Sequence, residues 1–347
     1  MMLKDLVDIN NPFVIYKKPH SGKLNIWQQK DGQLYTSNDL SQSGYYFAPY
    51  DFTKHPVVVF PTHQSVKQDI LIREIINGGN TTLVRISEPE IEKFEAKAYQ
   101  DKVAKAVQLI KNGKLQKIVL SRTFKVFSTG FDKFESLLKL MTVYEQSYVY
   151  LWHHPKVGTW MGVTPELLAQ YQTGIFQTMA LAGTLAYDSK TPVTWQPKEI
   201  KEQQFVTDYI IDKLQKFSSN IKVTKPTTVY QGHLAHIRTD ISAEINSENL
   251  SDVILDLHPT PAVCGLPVEK AKSYIAEIEN RDRNYYSGFL GEKNKDFAAL
   301  YVNLRSMEIL SDYLILHVGG GIVGDSIPKK EWQEILIKSK ILLSVSV

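Results

Sequence analysis

The chain has 347 residues, of which 43% are hydrophobic and 22% charged, an ordinary globular composition. Its net charge of +3 is small and evenly spread, which fits an anionic small molecule better than a cationic one and argues against nucleic-acid binding. The single cysteine, Cys264, excludes an internal disulfide and argues against a cysteine–histidine zinc site. No run reaches the roughly 18 apolar residues of a membrane span. We therefore expect neither a membrane nor a nucleic-acid partner.

The predicted elements begin with short strands and loops in residues 1–90, where apolar runs such as Phe13–Tyr16 and Val57–Phe60 are bounded by turn residues. The apolar spacing of residues 90–112 predicts a helix. Strands are then predicted at 117–126, 148–153, 159–163, 175–181, 298–306 and 313–318, and helices at 198–217, at 267–280 and after Asp325–Pro328.

Many strands with a few long helices predict an α/β fold of the α+β kind. No proline- or glycine-rich linker divides the chain, so residues 1–347 are expected to form one domain. Within it, residues 1–90 would form a motif-poor N-terminal part of the sheet, and residues 90–345 the catalytic region. The first residues, Met1–Asp5, lack the pattern of a secretory signal, so the expected compartment is the cytoplasm.

Two polar residues at predicted strand ends are candidate acid–base groups. Lys117 opens an apolar strand, although the pattern alone favours a solvent-facing lysine at a sheet edge. Glu166 precedes two leucines, and such an apolar setting would raise its pKa and suit a general acid. The alternative for Glu166 is a turn residue that caps backbone amides.

Helical carboxylates form a second candidate group. Glu202 lies four residues before Val206, on the buried stripe of its helix, and a carboxylate there needs a partner such as a metal ion or a basic side chain. Glu331, Glu334 and Lys338 share one face of the last helix, a pattern that also describes an exposed ladder of ion pairs.

Two glycine segments are candidate ligand contacts. Gly183-Thr184 is predicted at a strand end, where glycine permits close backbone approach and threonine adds a hydroxyl, although a simple turn fits equally. The run Gly319–Gly321 follows a predicted strand and can present backbone amides to an anion. Neither segment has the spacing of a P-loop or a dinucleotide-binding fingerprint.

Taken in order, these segments resemble the chorismate-utilising enzymes, a family that includes anthranilate, aminodeoxychorismate, salicylate and isochorismate synthases. The resemblance covers about residues 90–345. The matching segments are Lys117–Arg122, Gly162–Leu168, Leu181–Thr184, Lys198–Glu202, His258–Ala262, Arg283–Gly288, Arg305, Gly319–Val323 and Glu331–Lys338.

The resemblance implies a single large domain of two stacked, mainly antiparallel sheets with outer helices, and Mg²⁺ as cofactor. The positions that match the metal ligands are Glu202 and Glu334, and those that match outer acids holding metal-bound water are Glu199 and Glu331. The positions that match substrate contacts are Gly183, Thr184, His236, Ala262, Tyr286, Arg305, Gly319, Gly320, Gly321 and Lys338. The chain departs from many relatives at Gln203, where they have a histidine.

Three positions distinguish the members of the family. Lys117 stands where anthranilate synthases carry glutamine, and Ala182 stands where aminodeoxychorismate synthases place a nucleophilic lysine. Ala262 stands where salicylate synthases typically have threonine. The resemblance therefore implies an isochorismate synthase, an isomerase. A salicylate synthase and an ammonia-using anthranilate or aminodeoxychorismate synthase component are the alternatives.

The implied reaction adds water at C2 of chorismate and removes the C4 hydroxyl. Lys117 would be the catalytic base that activates water, and Glu166 the catalytic acid that protonates the leaving hydroxyl. We expect chorismate as the partner, no obligatory protein partner, and a monomer. Menaquinone biosynthesis is the expected pathway because it is the commoner use of isochorismate, with siderophore biosynthesis as the alternative.

Overall fold

Two large antiparallel sheets dominate the protein, whose computed structural model describes residues 2–75, 93–128, 131–187, 192–231 and 234–343. The strands are β1 (Phe13–Lys17), β2 (Lys23–Gln29), β3 (Gly44–Ala48), β4 (Val58–Pro61), β5 (Ser65–Leu71), β6 (Lys117–Phe127), β7 (Tyr148–His154), β8 (Gly158–Thr164), β9 (Leu167–Gln172), β10 (Ile175–Ala186), β11 (Ile221–Val223), β12 (Thr227–Gln231), β13 (Leu234–Glu244), β14 (Gly265–Leu266), β15 (Phe289–Lys293), β16 (Phe297–Val302), β17 (Ser306–Ile309) and β18 (Tyr313–Ile322). The helices are α1 (Lys93–Lys111), α2 (Lys133–Val143), α3 (Pro197–Leu214), α4 (Leu250–Leu257), α5 (Val268–Glu279) and α6 (Pro328–Leu343).

Each sheet combines strands from distant parts of the chain. The first has the order β14-β6-β18-β17-β8-β7-β1-β2-β5. The second has the order β11-β13-β10-β9-β16-β15-β3-β4, and β12 also pairs with β13. The N-terminal strands thus enter both sheets, β1, β2 and β5 in the first and β3 and β4 in the second. The predicted α+β fold of two mainly antiparallel sheets is confirmed.

The hydrophobic core has three parts, one between the sheets and one on each outer face. Aromatic residues from both sheets, among them Tyr16, Phe47 and Trp152, pack between them. The outer face of the first sheet is covered by helices such as α6, through Trp332, and that of the second by α3, through Val206. In the described ranges, no helix is long and apolar enough to cross a bilayer.

The helix α3 carries part of the site, and its sequence explains where it starts. Pro197 occupies the first turn, and the Gln196 and Glu199 side chains form a reciprocal capping box with the backbone. Val206, Ile210 and Leu214 then bury one stripe of the helix. The prediction of a helix over 198–217 is therefore confirmed to within three residues at its end.

Three sequence predictions near the site need correction. The predicted strand 298–306 is divided, because β16 ends at Val302 in the second sheet and β17 begins at Ser306 in the first. Gly183-Thr184 does not end a strand, since β10 continues to Ala186 with a register shift between Ala182 and Thr184. The run Gly319–Gly321 does not follow a strand but lies inside β18, paired with β6.

Other elements were absent from the prediction. These are β9, β11, β12, β13, β14, β15, α2 and α4, whereas β2, β3 and β5 lie within residues 1–90, for which short strands were predicted without bounds. The predicted helix over 90–112 is confirmed from Lys93 to Lys111, whereas residues 90–92 lie outside the described residues.

Candidate active site

A cavity lies beside β10 and β18, and polar and apolar residues both line it, as in sites for small ligands. The predicted site residues in its wall are Glu166, Gly183, Thr184, Glu202, His236, Ala262, Tyr286, Arg305, Gly319, Gly321 and Lys338. Lys117, Gly320, Glu199 and Glu334 are not wall residues but lie next to residues that are. Glu331 lies one step further out, beside Glu334 and Lys198. The structure therefore brings the predicted set into one region.

Glu166 is the acid of the cavity wall. It lies in the connection between β8 and β9 and is only 4% exposed. Burial, partly offset by the positive charges of Lys117 and Arg305, raises the pKa of Glu166 to about 8. Its backbone carbonyl accepts a hydrogen bond from Val302 N at 3.0 Å, which fixes the turn against β16. The carboxyl group is therefore largely protonated at neutral pH and can donate a proton to a ligand.

Lys117 is buried, with no exposed surface, and is not the solvent-facing strand lysine that the local pattern favoured. Its Nζ lies 3.2 Å from Glu202 Oε1, an ion-pair distance. Burial alone would raise the pKa of Glu202, but Lys117, Lys198 and Lys338 together lower it below the ordinary value. Glu202 is thus an ionised carboxylate in the cavity wall.

Two further carboxylates of α6 also pair with lysines. Lys198 Nζ donates to Glu331 Oε1 at 2.7 Å, and Lys338 Nζ lies 2.7 Å from Glu334 Oε1. Burial and the neighbouring Glu334 carboxylate raise the pKa of Glu331. Lys338 also donates to Gly319 O at 3.1 Å, which ties α6 to β18. Of the ladder considered for α6, the Glu334–Lys338 pair therefore forms but is half-buried, and Glu331 pairs with Lys198 of α3 instead.

The glycines of β18 make room for these carboxylates. A Cβ atom on Gly321 would lie 2.0 Å from Glu202 Oε1 and 3.2 Å from Lys117 Cε, so a side chain there would displace the Glu202 carboxylate. A Cβ atom on Gly320 would lie 3.7 Å from Glu334 Oε1, an ordinary contact. The two predicted metal ligands therefore approach neighbouring positions of one strand.

This arrangement suits a hard divalent cation, although it is not a preformed cluster. Among the described residues, no three histidine, cysteine, aspartate or glutamate side chains converge as a metal site. Glu202 and Glu334 supply oxygen ligands from two helices, and Mg²⁺ commonly takes one or two protein carboxylates and keeps several waters. In the structure, the carboxylates of Glu202 and Glu334 are paired with the ammonium groups of Lys117 and Lys338. The donor set fits Mg²⁺, and binding itself stays a prediction.

Opposite the carboxylates, His236 and Arg305 form a basic pair. Arg305 Nη2 donates to His236 Nε2 at 2.7 Å, which leaves Nδ1 as the protonated nitrogen, near Thr184 Oγ1 at 3.2 Å and Gly183 O at 3.3 Å. Burial, together with the charges of Arg305 and Lys338, holds the pKa of His236 well below its ordinary value. Neutral His236 therefore orients Arg305 toward the cavity.

The α3 residues beside Glu202 have mainly structural contacts. Glu199 Oε2 accepts from Gln196 N at 3.1 Å and caps the helix, and its predicted contact with metal-bound water stays a prediction. Gln203, where many relatives have histidine, donates to Thr207 Oγ1 at 2.8 Å and Thr239 Oγ1 at 2.7 Å. Gln203 thereby holds α3 against β13.

Sequence reasoning assigned no role to two residues of this region. Lys198 is the partner of Glu331, and its position inside a matching segment, next to Glu199, was the available signal. Ser287 lines the cavity and follows Tyr286, but a serine beside a glycine in a loop gave no local signal.

Comparisons with known proteins concern the sequence and the fold of the chain. A family model described as chorismate binding enzyme matches residues 64–346. The isochorismate synthase MenF of Haemophilus influenzae is 31% identical over 259 residues, which are 71% of this chain and 59% of that protein. The isochorismate synthase MenF of Pasteurella multocida is 31% identical over 283 residues, 76% of this chain and 65% of that protein. The chain thus spans about three fifths of the length of these curated relatives.

A solved structure shares the fold over the full chain. The menaquinone-specific isochorismate synthase MenF of Escherichia coli superposes with a TM-score of 0.81 at 20% identity, covering 100% of this chain and 93% of that one. At this identity the likeness concerns the fold alone.

Proposed function

The chain belongs to the family of chorismate-binding enzymes, and from this premise we propose that it is an isochorismate synthase, an Mg²⁺-dependent isomerase of chorismate. The observation that carries the proposal is Glu166, a buried carboxyl group in the cavity wall whose pKa of about 8 keeps it protonated at neutral pH. A reaction that removes a ring hydroxyl needs such an acid.

Lys117 is the base of the proposed reaction. It has no exposed surface, and its Cε lies next to the space that a side chain at Gly321 would occupy. Gly321 lines the cavity, and the Glu202 carboxylate fills the space that a side chain there would take, so Lys117 reaches the ligand only when that carboxylate moves. A lysine acts as a base only in its neutral form, which requires that Lys117 release its ion pair with Glu202.

The proposed chemistry exchanges one hydroxyl for another. Lys117 takes a proton from a water molecule as the water oxygen bonds to C2. The ring double bonds shift, and the C4–O bond breaks as Glu166 gives its proton to the departing hydroxyl, which leaves as water. Lys117 ends protonated and Glu166 ionised, and proton exchange with solvent restores both. Each group would contribute a rate factor of roughly 10²–10⁴.

The remaining charged residues bind and orient the substrate. Arg305 and Lys338 line the cavity and offer positive charge to the carboxylates of chorismate. His236 holds Arg305 in place through the 2.7 Å hydrogen bond. Glu202 and Glu334 are the proposed ligands of Mg²⁺, which when bound would neutralise their charge and orient a substrate carboxylate.

Product analysis tests the proposal. Purified protein incubated with chorismate and Mg²⁺ should form isochorismate, with little salicylate or pyruvate near neutral pH, because Ala262 lies in the cavity wall where salicylate synthases typically have threonine. Stoichiometric salicylate and pyruvate would identify a salicylate synthase instead. Conversion only with ammonia would identify an anthranilate or aminodeoxychorismate synthase component. No conversion of chorismate under any of these conditions would refute the proposed function.

A further inference from the structure

We propose that Ser287 is a further substrate-binding residue, whose hydroxyl hydrogen-bonds to the same substrate carboxylate that Arg305 binds. The inference rests on the proposed function, because it takes an anionic substrate such as chorismate as the ligand. Ser287 would supply a neutral hydroxyl donor, which the charged residues of the cavity do not have.

The first observation is a buried hydroxyl that has no settled partner. Ser287 is 1% exposed and lines the cavity. Within the described chain its Oγ makes no hydrogen bond of normal geometry. Burial raises the pKa of Tyr286 to about 12, and the nearby Ser287 hydroxyl opposes this shift slightly without making a well-formed hydrogen bond. A buried hydroxyl without a partner is unfavourable, so its position in a ligand cavity points to a ligand partner.

The second observation is a backbone held in an unfavourable conformation. Ser287 has φ of 64° and Arg305 has φ of 45°, left-handed values that side chains other than glycine rarely adopt. Both residues line the cavity. Strained backbone of this kind persists only where the surrounding structure enforces it, and it is concentrated at ligand sites.

Asn303 holds the backbone of the Ser287 loop in this conformation. Ser287 N donates to Asn303 O at 2.8 Å, and Asn303 N donates to Gly288 O at 2.8 Å. The Asn303 side chain donates to Tyr285 O at 2.9 Å and accepts from the Tyr150 hydroxyl at 2.7 Å. Asn303 is fully buried and precedes Arg305 by two residues. Asn303 thus fixes the loop that carries Ser287 and ties it to the connection between β16 and β17 that carries Arg305.

The third observation is an unused donor on Arg305. Its Nη2 is occupied by His236, whereas Nη1 is buried and has no hydrogen-bond partner within the described chain. A carboxylate offers two oxygens with several acceptor positions. One oxygen can accept from Arg305 Nη1 and the other from the Ser287 hydroxyl, so that a single ligand group satisfies both unpaired donors.

Two substitutions at one position test the contact. Ser287→Ala removes the hydroxyl and keeps the left-handed strain, whereas Ser287→Gly removes the hydroxyl and the strain. Both should weaken chorismate binding and raise KM by about tenfold to a hundredfold, as expected for a hydrogen bond to a charged group, with a smaller change in kcat. Ser65→Ala is the matched control, since Ser65 Oγ also lacks a partner but lies in β5, outside the cavity wall.

Calorimetry with chorismate and Mg²⁺ in a Lys117→Ala background, in which turnover is expected to be slow, measures binding separately from turnover, so the contact can be tested even if the wild-type protein does not form isochorismate. Unchanged affinity in both Ser287 variants would overturn the inference. A loss with alanine but not with glycine would also overturn it, because the backbone rather than the hydroxyl would then be responsible.

A double-mutant comparison separates a direct contact from an effect through Tyr286. In a Tyr286→Phe background, Ser287→Ala should still lower affinity, because the hydroxyl contacts the ligand itself. If the serine substitution has no effect in that background, Ser287 acts only by orienting Tyr286, and the proposed contact is wrong.

Discussion

The aromatic interior between the sheets and the cavity beside it use the same two sheets in opposite ways. In the interior, Phe47 stacks on Trp152 at a centroid distance of 4.2 Å and on Tyr285 at 4.5 Å, and the rings leave little space for a ligand. In the cavity wall, Gly183, Gly319 and Gly321 have no side chains, and charged groups occupy part of the space that this leaves. The two regions meet at Tyr286, which belongs to the aromatic cluster and to the cavity wall.

The aromatic interior and the cavity therefore contribute differently, the first mainly to stability and the second to the proposed reaction. The interior buries large apolar surfaces and contributes mainly to the free energy of unfolding. The cavity buries Lys117, Glu166 and Glu202, which is unfavourable unless the charges are paired or neutralised. Substitutions in the cavity should therefore affect activity most, and those in the interior should affect stability alone.

The largest effect is expected from removal of the metal. EDTA should abolish activity and added Mg²⁺ should restore it. Without the metal, the Glu202 and Glu334 carboxylates would pair only with Lys117 and Lys338 and could not orient the substrate. Glu334→Ala should abolish Mg²⁺ binding measured by calorimetry while the protein remains folded. Asp256→Ala, which removes a carboxylate paired with Lys213 of α3, is the matched control and should bind Mg²⁺ normally. Full activity of the EDTA-treated protein would disprove this site.

Loss of the base should have the next largest effect. Lys117→Ala is expected to lower kcat at least about a hundredfold with little change in chorismate affinity. Lys117→Met, which keeps the length of the side chain without the amine, controls for the space that alanine leaves in the core. Turnover near the wild-type rate in either variant would remove Lys117 from the mechanism.

The acid should be visible in the pH profile. Because burial raises the pKa of Glu166 to about 8, the group is protonated below that pH and loses its proton above it, so kcat should fall as pH rises through about 8. Glu166→Gln should lower kcat by about a hundredfold in both directions of the reaction and remove this decline. A decline that persists unchanged in the variant would assign it to another group.

A smaller but specific effect should follow from filling the cavity. Gly321→Ala places a methyl group 2.0 Å from the observed position of Glu202 Oε1, so the carboxylate must move and activity should fall at least about tenfold. Gly320→Ala makes only ordinary contacts, the nearest at 3.6 Å, and should lose much less. Equal losses in the two variants, measured as kcat/KM, would contradict the proposed role of Gly321.

The smallest effect is expected in the aromatic interior. The Tyr45 and Tyr148 hydroxyl groups hydrogen-bond at 2.9 Å within the aromatic cluster, and neither residue lines the cavity. Tyr45→Phe should lower the free energy of unfolding by about 1 kcal/mol and leave kcat/KM unchanged. Denaturant unfolding and steady-state kinetics on one preparation check both parts, and a change in kcat/KM would show that the two regions are coupled.

Local sequence pattern determined much of the fold and part of the site. The stripe of Val206 and Ile210 identified α3 and placed Glu202 on its buried side, as the structure confirms. The two leucines after Glu166 indicated a desolvated carboxyl group, and its raised pKa agrees. Such features depend on neighbours within one or two turns or along one strand, and these are readable from a single sequence.

Other features were decided by tertiary structure alone. Lys117 looked like an edge lysine, but β18 and α3 enclose it, and its partner Glu202 is distant in sequence. β13 was not predicted because its inward side chains include Thr239 and Ala243, whose weak hydrophobicity hides the alternation. His236 lies in β13 of the second sheet, and its partner Arg305 lies in the connection from β16 of the second sheet to β17 of the first. Burial and charge pairing are properties of the assembled sheets, so residue order along the chain indicated which groups were available and the packing decided which of them met.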